Sequence, residues 1–154
     1  MRCLKLANKF TLMVLFVFSL SACVTTTENS GFTNNSSPES ALLSHVEAAY
    51  EYLRRGDFEN ARRHLRNAAE INDRDATVHN AMAYSYELSG DLDLADETYR
   101  KAISLDGSLT SARNNYGVFL FKQERYKEAR EQFLKVVKDT LYPRRGGAFN
   151  SLGV

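Results

Sequence analysis

The same small set of residues returns every 34 positions along this chain. Tyr52, Gly56, Asp57, Ala61 and Ala68 are followed 34 residues later by Tyr86, Gly90, Asp91, Ala95 and Ala102. Gly117, Tyr126, Ala129 and Phe133 keep the register in a third copy. A period of this length holds one helix-turn-helix unit, whose two short helices cannot hide their apolar stripes unless neighbouring units stack beside them. The spacing therefore constrains the architecture before any single residue does.

Small residues sit where two helices of a unit would meet. Ala61, Ala95 and Ala129 open the second helix of each unit, and Ala49, Ala83 and Gly117 lie on the first, so the helix axes can approach closely. Phe58, Leu92 and Tyr126 fill the space beside the turn, and Leu65, Tyr99 and Phe133 plug the groove one helical face further on. Gly56 and Gly90 suit helix ends, and Asp57 and Asp91 can cap the helices that follow. The third turn has Glu124 and Arg125 instead, and Asp73, Gly107 and Leu141 stand where such repeats usually carry proline. The pattern resembles the tetratricopeptide repeat. The expected fold class is all-α, a solenoid of antiparallel helix pairs, with repeats at about 41–74, 75–108 and 109–142 and a partial fourth from 145. Helices are predicted near 39–55, 58–72, 76–89, 92–105, 110–122 and 126–139, with a last one from Arg145. Arrays of this kind finish with a polar capping helix, which the chain as written does not reach.

The first 22 residues carry a separate message. Arg2, Lys5 and Lys9 precede an apolar run from Phe10 to Leu20, too short to cross a bilayer but suited to the core of a secretory signal. The run ends in Leu20-Ser21-Ala22-Cys23, which resembles the bacterial lipobox, where the cysteine is acylated and the chain is cut before it. A plain secretory signal with an incidental cysteine is the other reading. Cys3 leaves with the signal, so the mature chain keeps a single cysteine and no internal disulfide is expected. Residues 23–40, rich in Thr, Ser and Asn, have too little apolar surface to fold and read as a tether with a reach of about 20–25 Å. Ser37 and Pro38 look like an N-cap and first-turn proline that open the first helix.

Chemistry is scarce in the repeats. Without Arg2, Lys5 and Lys9 the chain has 17 of its 20 basic residues against 19 acidic ones, which leaves no basic footprint for nucleic acid. His45 and His79 share a repeat position on neighbouring first helices, roughly 10 Å apart by ordinary packing, too far to share a metal. His64 is expected to face solvent among Arg62, Arg63 and Arg66. Asp91, Asp93 and Asp96 lack the glycine and terminal glutamate of a calcium loop and read as capping and N-terminal charge placement. Neither a phosphate-binding glycine loop nor a nucleophile elbow is present, so no enzyme, cofactor, metal or small-molecule substrate is expected. What remains is surface. First helices line the inner wall of such a stack, and the inward positions are expected at Leu43, Val46, Tyr50 and Leu53, then Thr77, Asn80, Tyr84 and Leu88, then Ser111, Asn114, Val118 and Phe121. The first set is strongly apolar, as a partner site would be, unless the tether or a neighbouring helix covers it. Asn80 and Asn114 recur as a ladder able to bind a peptide backbone, or as solvated filler. The expected partner-binding residues are Leu43, Val46, Tyr50, Leu53, Asn80, Tyr84, Asn114 and Val118.

A lipobox-like signal, a polar tether and these repeats, in that order, resemble the type IV pilus biogenesis and stability lipoproteins, the pilotins that assist an outer-membrane secretin. The likeness is most specific in Asn114-Asn115-Tyr116-Gly117-Val118-Phe119-Leu120, Glu124-Arg125-Tyr126 and Asp139-Thr140-Leu141-Tyr142-Pro143, with Gly56-Asp57, Glu59-Asn60-Ala61-Arg62 and the stretch from Ala95 through Ala102 in the earlier repeats. Members of that family usually continue through several more repeats. The resemblance implies an adaptor, lipid-anchored through Cys23 on the periplasmic face of the outer membrane, that binds a secretin subunit and helps it localise and assemble. Val24, in place of aspartate after the cysteine, agrees with transfer to the outer membrane. The alternative is a repeat-containing lipoprotein that scaffolds or regulates enzymes of peptidoglycan synthesis or hydrolysis.

Overall fold

The computed structural model describes residues 37–153. The secretory signal over 1–22, the candidate anchor Cys23 and the tether as far as residue 36 lie outside the described residues. Among those described there are seven helices: α1 (Pro38–Arg54), α2 (Phe58–Ile71), α3 (Ala76–Ser89), α4 (Leu92–Leu105), α5 (Thr110–Lys122), α6 (Tyr126–Val136) and α7 (Arg145–Leu152). None is long and apolar enough to cross a membrane.

Most helix bounds follow from local chemistry. Ser37 Oγ accepts a hydrogen bond from the Ser40 amide at 3.1 Å and Pro38 occupies the first turn, so the last three residues of the 23–40 stretch are helical rather than tether. α6 stops at Val136, short of the predicted 139. There the amides of Lys138 and Asp139 reach back only three residues, to the carbonyls of Lys135 and Val136, and the Asp139 carboxylate is held by Thr110 Oγ1 at 2.6 Å and the Leu141 amide at 3.0 Å.

The three turns inside the pairs share one geometry built from different residues. The amides of Asp57, Asp91 and Arg125 donate to the carbonyls of Tyr52, Tyr86 and Leu120 at 3.0, 2.9 and 2.9 Å. Each turn needs one residue with positive φ, supplied by Gly56 at 74° and Gly90 at 86° but by Glu124 at 60° in the third. A side chain in that region costs about 1–2 kcal/mol, so the third turn is imposed by the packing of its pair. Asp57 caps α2 through the Asn60 amide at 3.1 Å. Asp91 does not cap α4; its carboxylate accepts from Ser89 Oγ at 3.0 Å.

α1 with α2, α3 with α4, and α5 with α6 form antiparallel pairs, and each second helix also touches the first helix that follows it. α1 further touches α3, and α3 touches α5, which lines the first helices up along one side of the stack. Ala49, Ala61, Ala83 and Ala95 are fully buried where the helices of a pair meet. At Gly117 the approach is closer still: a Cβ there would stand 2.7 Å from Phe133 Cε1. One apolar cluster gathers Leu42, Val46, Ala49, Leu53, Leu65 and Val78, a second Tyr99, Tyr116, Phe119, Leu120, Phe133 and Val136, and Tyr84 packs against both.

Candidate partner-binding wall

Three first helices at a 34-residue repeat bring α1, α3 and α5 side by side, and their shared face is tied together by a line of polar contacts. Asn80, only 2% exposed, donates from Nδ2 to Tyr50 Oη at 3.3 Å, and its Oδ1 accepts from Asn115 Nδ2 at 3.1 Å. The rings of Tyr50 and Tyr84 lie 6.0 Å apart, tilted by 41°. Burial pushes the Tyr50 hydroxyl up to about 12, against the pull of the Arg144 guanidinium in the α6–α7 loop, so the phenol stays protonated and anchors the wall as a neutral group.

The structure separates the expected binding residues into two groups. Leu43 and Val118 are exposed, at 43% and 37%, and Tyr50 and Tyr84 are half-buried. Val46 and Leu53 are each 3% exposed and belong to the first apolar cluster with Ala49, Leu65 and Val78. The expectation that they form an open apolar stripe is therefore corrected: the stripe exists, but α2 and α3 cover it. The asparagine ladder is corrected as well. Asn80 spends its amide on Tyr50 and Asn115, while Asn114 is 8% exposed and it is its neighbour Asn115 that reaches across to α3. No periodicity pointed to Asn115, because its contact crosses repeat positions. Leu88, at 37%, joins Leu43 and Val118 as exposed apolar surface on the first helices.

Two carboxylates join repeats, and one of them, Asp96, looks like a capping group in the sequence. Asp96 receives Arg125 at 2.6 Å, Arg100 at 2.9 Å and the Tyr116 hydroxyl at 3.0 Å, which links α4 to α5 and to the residue that precedes α6. Glu87 accepts from the Tyr99 hydroxyl at 2.8 Å and pairs with Lys122 at 2.7 Å. Burial first, and then Glu87, raises the Tyr99 hydroxyl far above its ordinary range, so it is a permanent donor inside the core. His64 does not face open solvent; its ring stacks on Tyr52 and its Nδ1 meets that of His45. Burial, then His45 and Arg63, lower its pKa and favour the uncharged ring. At the far end, Phe121 and Tyr126 pack edge to face at 5.2 Å and line, with Phe133 and Leu152, a groove of about 170 Å³.

The model of the tetratricopeptide repeat matches residues 76–108 and 110–138, the α3–α4 and α5–α6 pairs. This chain is a tetratricopeptide-repeat solenoid. The α1–α2 pair, outside the matched stretches, follows the same packing. The chain is also homologous to the type IV pilus assembly protein PilF of Pseudomonas aeruginosa, 36% identical over 143 residues that make up 93% of this chain and 57% of that protein. A solved structure of Pseudomonas aeruginosa PilF superposes with a TM-score of 0.72 at 40% identity, covering 75% of this chain and 52% of that one. The chain thus spans little more than half the length of PilF. The second tetratricopeptide domain of human RPAP3, solved with an HSP70 peptide, has a TM-score of 0.59 at 18% identity over 77% of this chain and 99% of that one, a likeness of fold alone.

Proposed function

We propose that this tetratricopeptide-repeat protein is an outer-membrane lipoprotein adaptor, a pilotin, that binds a secretin subunit and promotes its localisation and assembly for type IV pilus biogenesis. The observation that carries this reading is the 36% identity to a type IV pilus assembly protein across 93% of the chain. In this reading Cys23 is acylated and holds the repeats to the periplasmic face of the outer membrane. The job makes and breaks no bond. It needs a surface, and exposed Leu43, Leu88 and Val118 beside the half-buried rings of Tyr50 and Tyr84 supply apolar area in a polar setting, as partner sites do. An apolar segment of the secretin lies along that wall, with the tyrosines as its rigid anchors.

The test is capture of the ring-forming secretin from detergent-solubilised membranes. Wild-type chain is expected to retain it, and Leu43→Glu combined with Val118→Glu to lose it at unchanged helical content. Undiminished capture by that folded double variant moves the binding site off this wall, and absence of the secretin from the wild-type eluate removes the pilotin reading. Labelled palmitate is expected to mark the wild-type chain and leave Cys23→Ser dark. Label retained by the serine variant places the anchor elsewhere.

A further inference from the structure

Ser85 on α3 and Phe119 on α5 hold the same repeat position, and each is 1% exposed. On α5 the Phe119 ring completes the junction with the preceding helix: it lies 5.6 Å from the Tyr99 ring of α4 and stacks on Tyr116 at 6.2 Å with 16° between the planes. Beside it the Asp96 carboxylate accepts from Arg100 at 2.9 Å and from the Tyr116 hydroxyl at 3.0 Å. One period earlier the same positions are Arg62, Leu65 and Arg66 on α2 with Met82, Ser85 and Tyr86 on α3, and they line a cleft of about 150 Å³. Ser85 supplies no ring there, and Arg62 stands where Asp96 supplies a carboxylate. The Ser85 hydroxyl is already buried without a hydrogen-bond partner, so a ring laid over it gives up no bond to water.

We infer that the α2–α3 cleft binds a partner peptide carrying an aromatic side chain beside a carboxylate, the two groups that the α4–α5 junction draws from its own chain. The size fits, since a cavity of about 150 Å³ holds a benzene ring. Leu65, 2% exposed, backs the cleft with apolar surface, and Met82 is unbranched and polarizable, so it adapts to a ring beside it. Charge selects the second group. Arg66 is exposed and makes no ion pair among the described residues. Arg62 meets only Glu59, at 3.2 Å on open surface, and a pair of that kind is cheaply exchanged for another carboxylate. Both guanidiniums also attract the face of a ring. None of the cleft residues belongs to the wall of Leu43, Leu88 and Val118, so this is a second contact surface and does not rest on the pilotin reading.

The probe is the amidated peptide Gly-Ser-Asp-Phe-Asp-Ser-Gly with a fluorescein label, titrated with the full chain in detergent and followed by fluorescence anisotropy. Saturable binding is expected, and sodium chloride should weaken it. Alanine for the phenylalanine of the probe should weaken binding by at least about tenfold, and asparagine for both of its aspartates by about threefold. Ser85→Phe, which gives the cleft the side chain that α5 already has, should abolish binding and keep or raise the Tm. If that variant melts without cooperativity, Arg66→Glu at its exposed position decides, with binding at least about threefold weaker at wild-type Tm. Leu43→Glu with Val118→Glu should hold the probe as the wild type does, and a loss there assigns the peptide to the wall and overturns the inference. No saturable binding below about 1 mM, or undiminished binding by folded Ser85→Phe or by Arg66→Glu, overturns it as well. So does a wild-type chain that dimerises in sedimentation while Ser85→Phe stays monomeric, which gives the cleft to a second copy.

Discussion

Leu53 in the first repeat and Phe121 in the third occupy the same repeat position, yet Leu53 is 3% exposed and Phe121 49%. Val46 and Asn114 share another position and are both buried, one in an apolar cluster and the other as an amide. Leu53 shares its cluster with Val78 and Ala81 of α3, whereas Phe121 meets the edge of Tyr126 and a groove lined by Leu152. The comparison teaches that register assigns a side chain to a face of its helix, while the neighbouring pair decides whether that face is wet. The turns repeat the lesson: Gly56 accepts a positive φ freely, and Glu124 is driven to one by the same backbone hydrogen bond.

The largest effect is expected from the first repeat. Val46→Glu combined with Leu53→Glu places two carboxylates inside an apolar cluster and should cost about 4 kcal/mol or more, a large part of the stability of a domain this size. Urea unfolding followed by circular dichroism measures it, and a wild-type midpoint would return both residues to an open groove. Next is Gly117→Ala, whose added methyl collides with the Phe133 ring and should cost about 1–3 kcal/mol. If it melts with the wild type, the third pair has more slack than its geometry allows.

A pH dependence follows from two carboxyls, one at the turn of the first pair and one at the end of the third. The hydrogen bond from Asn60 holds Asp57, and that from Thr110 holds Asp139, below the ordinary aspartate value of 3.8. Because the folded values are the lower ones, the stabilisation is complete above the ordinary value and is lost as pH falls through the folded value. Asp57→Asn should therefore flatten the acid limb of a Tm-against-pH curve, and an unchanged limb would assign acid sensitivity to other groups. The smallest stability change is expected for Leu43→Glu with Val118→Glu, within about 0.5 kcal/mol per site because both side chains are exposed. A large drop in Tm would mean that the wall is structural, and the comparison of wet and covered positions would fail there.

Much of the fold was legible because its signals are local. Ser37 before Pro38 announced the start of α1, and Gly56 and Gly90 marked two turns, each through chemistry within a few residues. The end of α6 was not legible, since the Asp139 carboxylate is held by Thr110, 29 residues away. Asp96 looked like a capping residue by its place in α4, yet it binds Arg125, also 29 residues distant. His64 sits among arginines in sequence, and only the pairing of α1 with α2 turns it toward His45. The candidate wall was half legible: Leu43 and Val118 are exposed, as a partner site needs, whereas Val46 and Leu53 lie on an apolar stripe whose cover no local pattern could reveal.

The sequence by itself determined the repeat period, the helix pairs and the small residues at their contacts, because helix periodicity and close approach depend on residues three, four and 34 positions apart. Only the tertiary structure decided which apolar side chains remain on the surface, which asparagine amide spends its hydrogen bonds inside the wall, and which histidines meet. Burial and polar satisfaction belong to pairs of surfaces, and the second surface at each of these places comes from another helix, whose own residues fix the outcome.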